Sequence, residues 1–222
     1  MKLKIPENLT QRAYRAIREE ILKGKLNGRQ RLTEAFFAGR LGVSKSPIRE
    51  ALNRLEAEGL VVILPRRGAS VIQFTVDDVN EIYELREILE TAAVRSATVD
   101  EKLLSRLRLA LREAKENLEK KDKVAYILAD ADFHRAIAQS SANLRLRKIL
   151  ENMHGQMLIL RHRTFELSSG LSVVEHENIL RAFEGGDREK ASSLMAKHVR
   201  TVRGKLLAHL ESHHEASPSK KN

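Results

Sequence analysis

The chain contains no cysteine among its 222 residues, which excludes disulfides and thiolate metal sites. It has no tryptophan and only 4% aromatic residues, so any core must be built mainly from Leu, Ile, Val and Ala. No apolar run, Leu60 to Leu64 included, approaches the length of a membrane span. The opening stretch MKLKIPENLTQ lacks the apolar centre of a secretory signal. These absences lead us to expect a cytoplasmic protein with no membrane partner. What is abundant is charge: 32% of residues are Asp, Glu, Lys or Arg, a share that suits long amphipathic helices with solvated outer faces. The length allows one large domain or two modest ones.

The net charge of +10 is unevenly placed. Residues 1–75 hold 15 Lys and Arg against 7 Asp and Glu, whereas the remainder holds 25 against 23. A basic segment the size of a small domain, attached to a nearly neutral larger one, suggests a module for a polyanion. A basic patch of this kind suits nucleic acid, but anionic lipid or simple solubility would also explain it.

Local signals predict helices over 9–23 and from Thr33 to about Leu41, then the turn Gly42-Val43-Ser44. A third helix opens with Ser44 or Ser46 as cap and carries Pro47 in its first turn, where a missing N–H is harmless. It ends at Gly59. The β-prone runs Leu60–Leu64 and Ala69–Ile72, joined by Pro65-Arg66-Arg67-Gly68, predict a hairpin. From Val76 onward the pattern is helical, with segments near 77–96, 100–120, 123–140, 143–167, 172–185 and 187–212. Ser172 with Glu175 reads as a capping box, and Gly185-Gly186-Asp187 as a stop followed by a start. The fold class is therefore mainly α: a winged helix-turn-helix over 1–75 and an all-helical bundle of six to seven helices over 76–213. Residues 214–222 read as a disordered tail.

The third helix divides its faces as a DNA-reading helix must. Ile48, Ala51, Leu52 and Leu55 fall at i, i+3, i+4 and i+7 and form a buried face. Lys45, Ser46, Arg49 and Asn53 project elsewhere, near the helix start. A helix set in the major groove presents its first turns to base edges, where Arg and Lys donate to guanine. Arg66 and Arg67 sit in the wing turn, and Gly68 permits a close backbone approach to phosphate or the minor groove. Taken singly, each of these side chains could equally be a solvated surface charge; cap, helix and wing agree only as a group.

The run GRQRLTEAFFAGRLGVSKSPIREALNRLEAEGLVVILPRRGASV resembles the DNA-binding module of GntR-family bacterial regulators, with LGVSKSPIREALNRLEAEGLV its most specific stretch. The resemblance implies that Lys45, Ser46, Arg49 and Gly68 touch operator DNA while Arg31 and Arg40 lie near its backbone. Ser44, at the helix start, is counted with them. Two departures bear on the operator sequence. Lys45 stands where Arg is usual, and Ala35 where many members carry a DNA-contacting Arg; Lys and Arg are not equivalent for bidentate base contacts.

In the second half, Asp130 and His134 are four apart and share a helix face, while His176 and His198 lie on other helices. One carboxylate with three imidazoles could hold a divalent ion, though spacing alone is a weak signal and helix histidines are more often packed or exposed. The pieces YELREILETAAVRSA, DADFHRAIAQSSANLRL and EHENILRAFEGGDREKASSLMAKHV resemble the FCD effector domain of the FadR subgroup of the same family. That resemblance implies a metal set of Asp130, His134, His176 and His198, with Zn, Ni or Mn as the ion. It argues against the fatty-acyl-CoA ligand of the branch that lacks this set. Asp132, two residues from His134, is expected at the surface. Arg86 matches an Arg that faces the pocket in relatives, where it would suit a carboxylate effector. Its other reading is a plain i,i+4 salt bridge to Glu90.

These expectations combine into a homodimeric operator-binding regulator, a repressor by preference, released by a small organic acid. Two rivals remain at this stage. A metalloenzyme could use the same four ligands to activate water, although no general base or oxyanion donor is evident beside them. An architectural DNA binder would share the basic head but show no sequence preference.

Overall fold

A computed structural model describes the backbone of residues 8–26, 31–64 and 68–215, with side chains through Ser212. The chain separates into two compact units, Met1–Gln73 and Phe74–Asn222.

In the first unit, α1 (Leu9–Leu22), α2 (Glu34–Leu41) and α3 (Lys45–Ala57) accompany three short strands, β1 (Arg31–Leu32), β2 (Val61–Leu64) and β3 (Gly68–Val71). Each helix has a chemical reason to begin where it does. Asn8 accepts from the backbone N–H of Gln11, and Thr33 from that of Phe36, which satisfies donors that a helix start leaves open. Gly42, at φ +66, closes α2 in the left-handed conformation that glycine adopts without strain. Ser44 occupies the cap position of α3, yet its side chain makes no capping bond. The apolar faces of α1 and α3 meet through Ala13, Ile17, Ile21, Ile48, Leu52 and Leu55, all buried. Burying each large aliphatic of this set contributes about 1.5–3 kcal/mol.

The sheet has the order β1-β3-β2 and is antiparallel throughout, with Val61 opposite Val71 and Leu64 opposite Gly68. The hairpin predicted from sequence is present. Its third member, β1, was not anticipated, because two residues carry no periodicity and their partners Ala69 and Ser70 come from far along the chain. Gly68 has φ +82, and a Cβ there would stand 3.3 Å from the Leu32 carbonyl oxygen. Glycine is therefore required by the sheet itself, whatever else approaches the turn. Pro65, Arg66 and Arg67 lie outside the described residues.

The second unit is helical: α4 (Val76–Arg95), α5 (Glu101–Glu119), α6 (Lys123–Ser140), α7 (Leu144–Glu184) and α8 (Arg188–Glu215). A reciprocal capping box between Thr75 and Asp78 starts α4. Helix α6 is buried on most of its circumference, from Tyr126 through Ala138, and so runs through the middle of the unit. Helices α4 and α8 pack along one another, as do α5 and α6, and α7 and α8.

The described residues of this half form five helices rather than six or seven. The segments expected at 143–167 and 172–185 are one helix of 41 residues. Ser168, Ser169, Gly170 and Ser172 look like a break in the sequence, but none stops the helix. The Ser168 hydroxyl bonds the carbonyl one turn back, on Thr164, and Ser172 is a buried interior residue instead of a cap. Gly185 and Gly186 do end α7, and the Asp187 side chain accepts from the Lys190 N–H to start α8. Helix α8 continues to Glu215, two residues into the expected tail; 216–222 are outside the described residues.

Candidate functional site

Two groups of residues stand out, one in each unit. In the first, Ser44, Lys45, Ser46 and Arg49 are all exposed at the N-terminal end of α3, while Ile48, Ala51, Leu52 and Leu55 face the core. Arg31 is exposed on β1 and Arg40 on α2. Two of these cations already hold carboxylates. Arg49 donates through Nε and Nη2 to both oxygens of Glu34, at 2.7 and 2.8 Å. Arg40 grips Glu20 in the same two-pronged way. The hydrogen bond from Arg49 holds the Glu34 carboxyl below its usual range.

In the second unit, four helices bring ionisable side chains into the interior. Helix α4 supplies Tyr83, Arg86 and Glu90; α6 supplies Asp130 and His134; α7 supplies Arg161 and His176; α8 supplies His198. All eight are at least nine-tenths buried. Charges placed so deep are tolerated only when paired and hydrogen-bonded. Arg86 donates through Nε to Glu90 at 2.6 Å, and Arg161 donates through Nε to Asp130 at 2.5 Å. Burial by itself would raise both carboxyls, but Arg86 and the His134 hydrogen bond hold Glu90 well below the usual range, and Arg161 does the same for Asp130.

The three histidines converge, with one ring nitrogen from each of His134, His176 and His198 lying within 4.8 Å of the others. Their partners fix which nitrogen is which. His134 Nδ1 is 2.5 Å from Glu90 and its Nε2 is 3.2 Å from Arg86 Nη2. Because a carboxylate only accepts and a guanidinium only donates, Nδ1 carries the proton and Nε2 the lone pair. His198 Nδ1 likewise donates to Glu175 at 2.8 Å, which leaves its Nε2 lone pair facing His176 Nε2 at 3.3 Å. The Phe133 ring stacks on His176 at 4.3 Å and fixes its plane. Burial pushes His134 down to about 4 and His176 well below its ordinary value, so both imidazoles are neutral near pH 7.

That network contains a mismatch. If His176 keeps its proton on Nδ1, its Nε2 and that of His198 point two lone pairs at each other. If the proton is on Nε2, it donates to the His198 Nε2 lone pair, but the Nδ1 lone pair is left facing Asp130 Oδ1 at 3.8 Å without a donor. Neither neutral tautomer satisfies both nitrogens, and burial opposes the doubly protonated form. A divalent cation accepting these lone pairs resolves the first case, and carboxylates behind two imidazoles are the usual support of metal-ligating histidines. The residues therefore fit a metal ion. Asp130 does not stand among the converging nitrogens; it is engaged by Arg161.

Beside the histidines lies a small, partly open cavity lined by Tyr83, Arg86, Tyr126, Arg161, Ser168 and His198 among others. The Tyr83 hydroxyl is buried there without a hydrogen-bond partner. Arg86 thus satisfies both readings given it by the sequence: it pairs with Glu90 and it lines the cavity. Asp132 pairs with Arg135 near the surface. Sequence reasoning missed Arg161 and Glu175 as parts of this cluster, and took Glu90 only as a partner of Arg86. Tyr83, Arg86 and Glu90 share one α4 face at i, i+3 and i+7, which was readable. The Arg161–Asp130 pair joins α6 to α7 and left no local signal.

Comparison with known families decides what carries these sites. Residues 9–71 match the gntR family of bacterial regulatory proteins, and residues 81–201 match the FCD domain. The chain belongs to the GntR family. The gluconate operon transcriptional repressor of Bacillus licheniformis is 30% identical over 200 residues, covering 86% of this chain and 82% of that protein. An uncharacterized HTH-type transcriptional regulator of Bacillus subtilis is 29% identical over 190 residues, covering 83% and 85%. The solved GntR regulator of Rhodococcus sp. RHA1 superposes with a TM-score of 0.81 at 26% identity, over 90% of this chain and 97% of that one. This GntR-family protein is thus a transcriptional regulator of the FCD type, not an enzyme, and its family binds operator DNA. Among the described residues no helix is long and apolar enough to cross a membrane.

Proposed function

We propose that this GntR-family regulator is a homodimeric repressor whose operator affinity is set by a small organic acid bound beside a divalent ion in the helical unit. The observation that carries the reading is the buried convergence of three histidine nitrogens, two of the rings backed by carboxylates, next to a cavity with an unpartnered tyrosine hydroxyl. His134, His176 and His198 would hold the ion, with Asp130 as a fourth ligand once it leaves Arg161. Glu90 and Glu175 would orient two of the rings. Such an ion supplies a positive charge that a carboxylate can share with Arg86. Tyr83, Tyr126, Thr164, Ser168, Ser169 and Ser172 place hydroxyls around the remaining cavity, a lining suited to a polar acid.

On the DNA side, Lys45, Ser46 and Arg49 would read bases from α3. Arg31, Arg40, Ser44 and Gly68, with Arg66 and Arg67 of the wing, would position the backbone. The effector would act on the geometry with which a dimer presents two heads to two half-sites, since operator binding depends on half-site spacing.

The test is fluorescence anisotropy of the zinc-loaded protein on its own promoter DNA and on random DNA, with and without a panel of carboxylates. We expect a preference of at least about a thousandfold for the promoter, as specific regulators show, and release by one acid at millimolar concentration or below. A preference near unity would sink the regulator reading in favour of an architectural protein; no response to any acid would remove the effector from it.

A further inference from the structure

Two guanidiniums in the helical unit sit where a metal ion would make its claim. Arg161 Nε donates to Asp130 Oδ2, and Arg86 Nη2 donates to the Nε2 lone pair of His134 at 3.2 Å. These are the acceptors that a cation would need. Both arginines line the same cavity, close to the unpartnered Tyr83 hydroxyl. They differ in how they are held. Arg86 has a second anchor, its Nε–Glu90 bond at 2.6 Å, and so stays in place if His134 turns away. For Arg161 the Asp130 carboxylate is the partner at hand.

From this geometry we infer that Arg86 and Arg161 are internal stand-ins for the metal, so that ion and carboxylate effector bind in an obligatory order, ion first. The inference rests on the metal-and-acid reading given above. In metal-free protein each guanidinium is neutralised or hydrogen-bonded from within, and an incoming carboxylate would have to displace Asp130, a buried anion in short contact. With a divalent ion in the site, Asp130 and His134 would turn their lone pairs toward it and release two buried N–H donors, Arg161 Nε and Arg86 Nη2. Buried guanidinium donors left without acceptors are strongly unfavourable, so they take up the next anion that can reach them. A carboxylate fits because a planar fork donates to its two oxygens in parallel. The cavity hydroxyls would then complete its surroundings.

The charge count supports the same order. The Arg86–Glu90 and Arg161–Asp130 pairs cancel, and Glu175 behind His198 adds one further negative charge to the metal-free cluster. A divalent ion turns that balance to one net positive charge in a buried region, and an acid supplies the missing negative charge. Without the ion, an acid would instead add an uncompensated anion.

The experiment uses the full-length, EDTA-treated, 15N-labelled protein and follows the side-chain Nε–Hε signals of Arg86 and Arg161, assigned with Arg86→Lys and Arg161→Lys. Zinc alone is expected to shift the Arg161 signal and to speed its exchange with water at least tenfold, while Arg86 Nε–Hε, still bound to Glu90, remains slow. Succinate, as a probe carboxylate, is then expected to slow Arg161 again, and to bind metal-free protein at least tenfold more weakly than zinc-loaded protein. A second route avoids the metal. Asp130→Asn removes the anion that neutralises Arg161, leaving at most a neutral amide acceptor, and should tighten succinate binding at least tenfold over metal-free wild type. An Arg161 signal unmoved by bound zinc, or equal succinate affinity with and without zinc, would overturn the inference and leave the metal site intact. If zinc does not bind at all, the metal reading and this inference fall together. Should Asp130→Asn fail to fold, the wild-type signals decide alone.

Discussion

Arg49 and Arg40 each hold a glutamate in the free protein, yet both are exposed, and exposed ion pairs contribute little net stability. Glu34 and Glu20 are therefore weak competitors for a nucleic acid, whose phosphates and guanine edges offer the same fork better-placed acceptors. The Arg49–Glu34 pair does something else as well: it holds the guanidinium in one orientation at the start of α3. These two arginines should behave differently when removed. Arg49→Ala is expected to weaken operator binding roughly ten- to a hundredfold and to relax preference at one base position. Arg40→Ala should weaken operator and random DNA alike and lower the salt slope by about one. Competition assays across salt concentrations check both, and an Arg49→Ala protein with unchanged base preference would remove Arg49 from the reading set.

At the scale of elements, α7 carries the second unit, spanning it unbroken and contributing Arg161, Ser168, Ser172, Glu175 and His176 to one face. It contains Gly170, an exposed interior glycine whose added Cβ would meet nothing within 4 Å. Gly170→Ala should stabilise the helix by about 1 kcal/mol, raising the melting temperature of a unit this size by about 2–4 °C. A lowered melting temperature would mean that α7 bends there in solution. This helix also marks where the sequence stopped being legible. Caps and glycines placed α2, α3 and the α7–α8 junction well, because Thr33, Gly42, Gly186 and Asp187 act on their immediate neighbours. The same local signals misled at Ser172 and Glu175. Their side chains serve tertiary partners, the core and His198, so a motif that spells a cap in isolation is here interior helix. The histidine cluster was readable as residue types on separate helices, whereas Glu175 behind His198 and Arg161 on Asp130 depend on how α6, α7 and α8 meet.

At the scale of the molecule, the two compact units should unfold with separate responses to metal, because the histidine cluster lies wholly within the second. A ligand that binds only the native form stabilises it by RT ln(1 + [L]/Kd), about 2.7 kcal/mol at a hundredfold excess over Kd. For a unit this size that is a rise of about 5–10 °C. Calorimetry of EDTA-treated protein, repeated with Zn²⁺, Ni²⁺ or Mn²⁺, should therefore move the transition of the helical unit and leave that of the DNA-reading unit where it was. Glu175→Gln sharpens the test. It keeps the size of the side chain but weakens the acceptor behind His198, and changes of this kind cost about ten- to a hundredfold in metal affinity. At a metal concentration that just saturates wild type, the variant should lose much of the shift and recover it when the ion is raised a hundredfold. Recovery separates lost ligand orientation from lost folding, which no added ion would repair. If instead both transitions moved together on metal addition, the stabilising ion would not be confined to the cluster. If neither moved, the lone pairs of His176 and His198 would have to be reconciled by a proton, and the cavity would bind its acid through arginine alone.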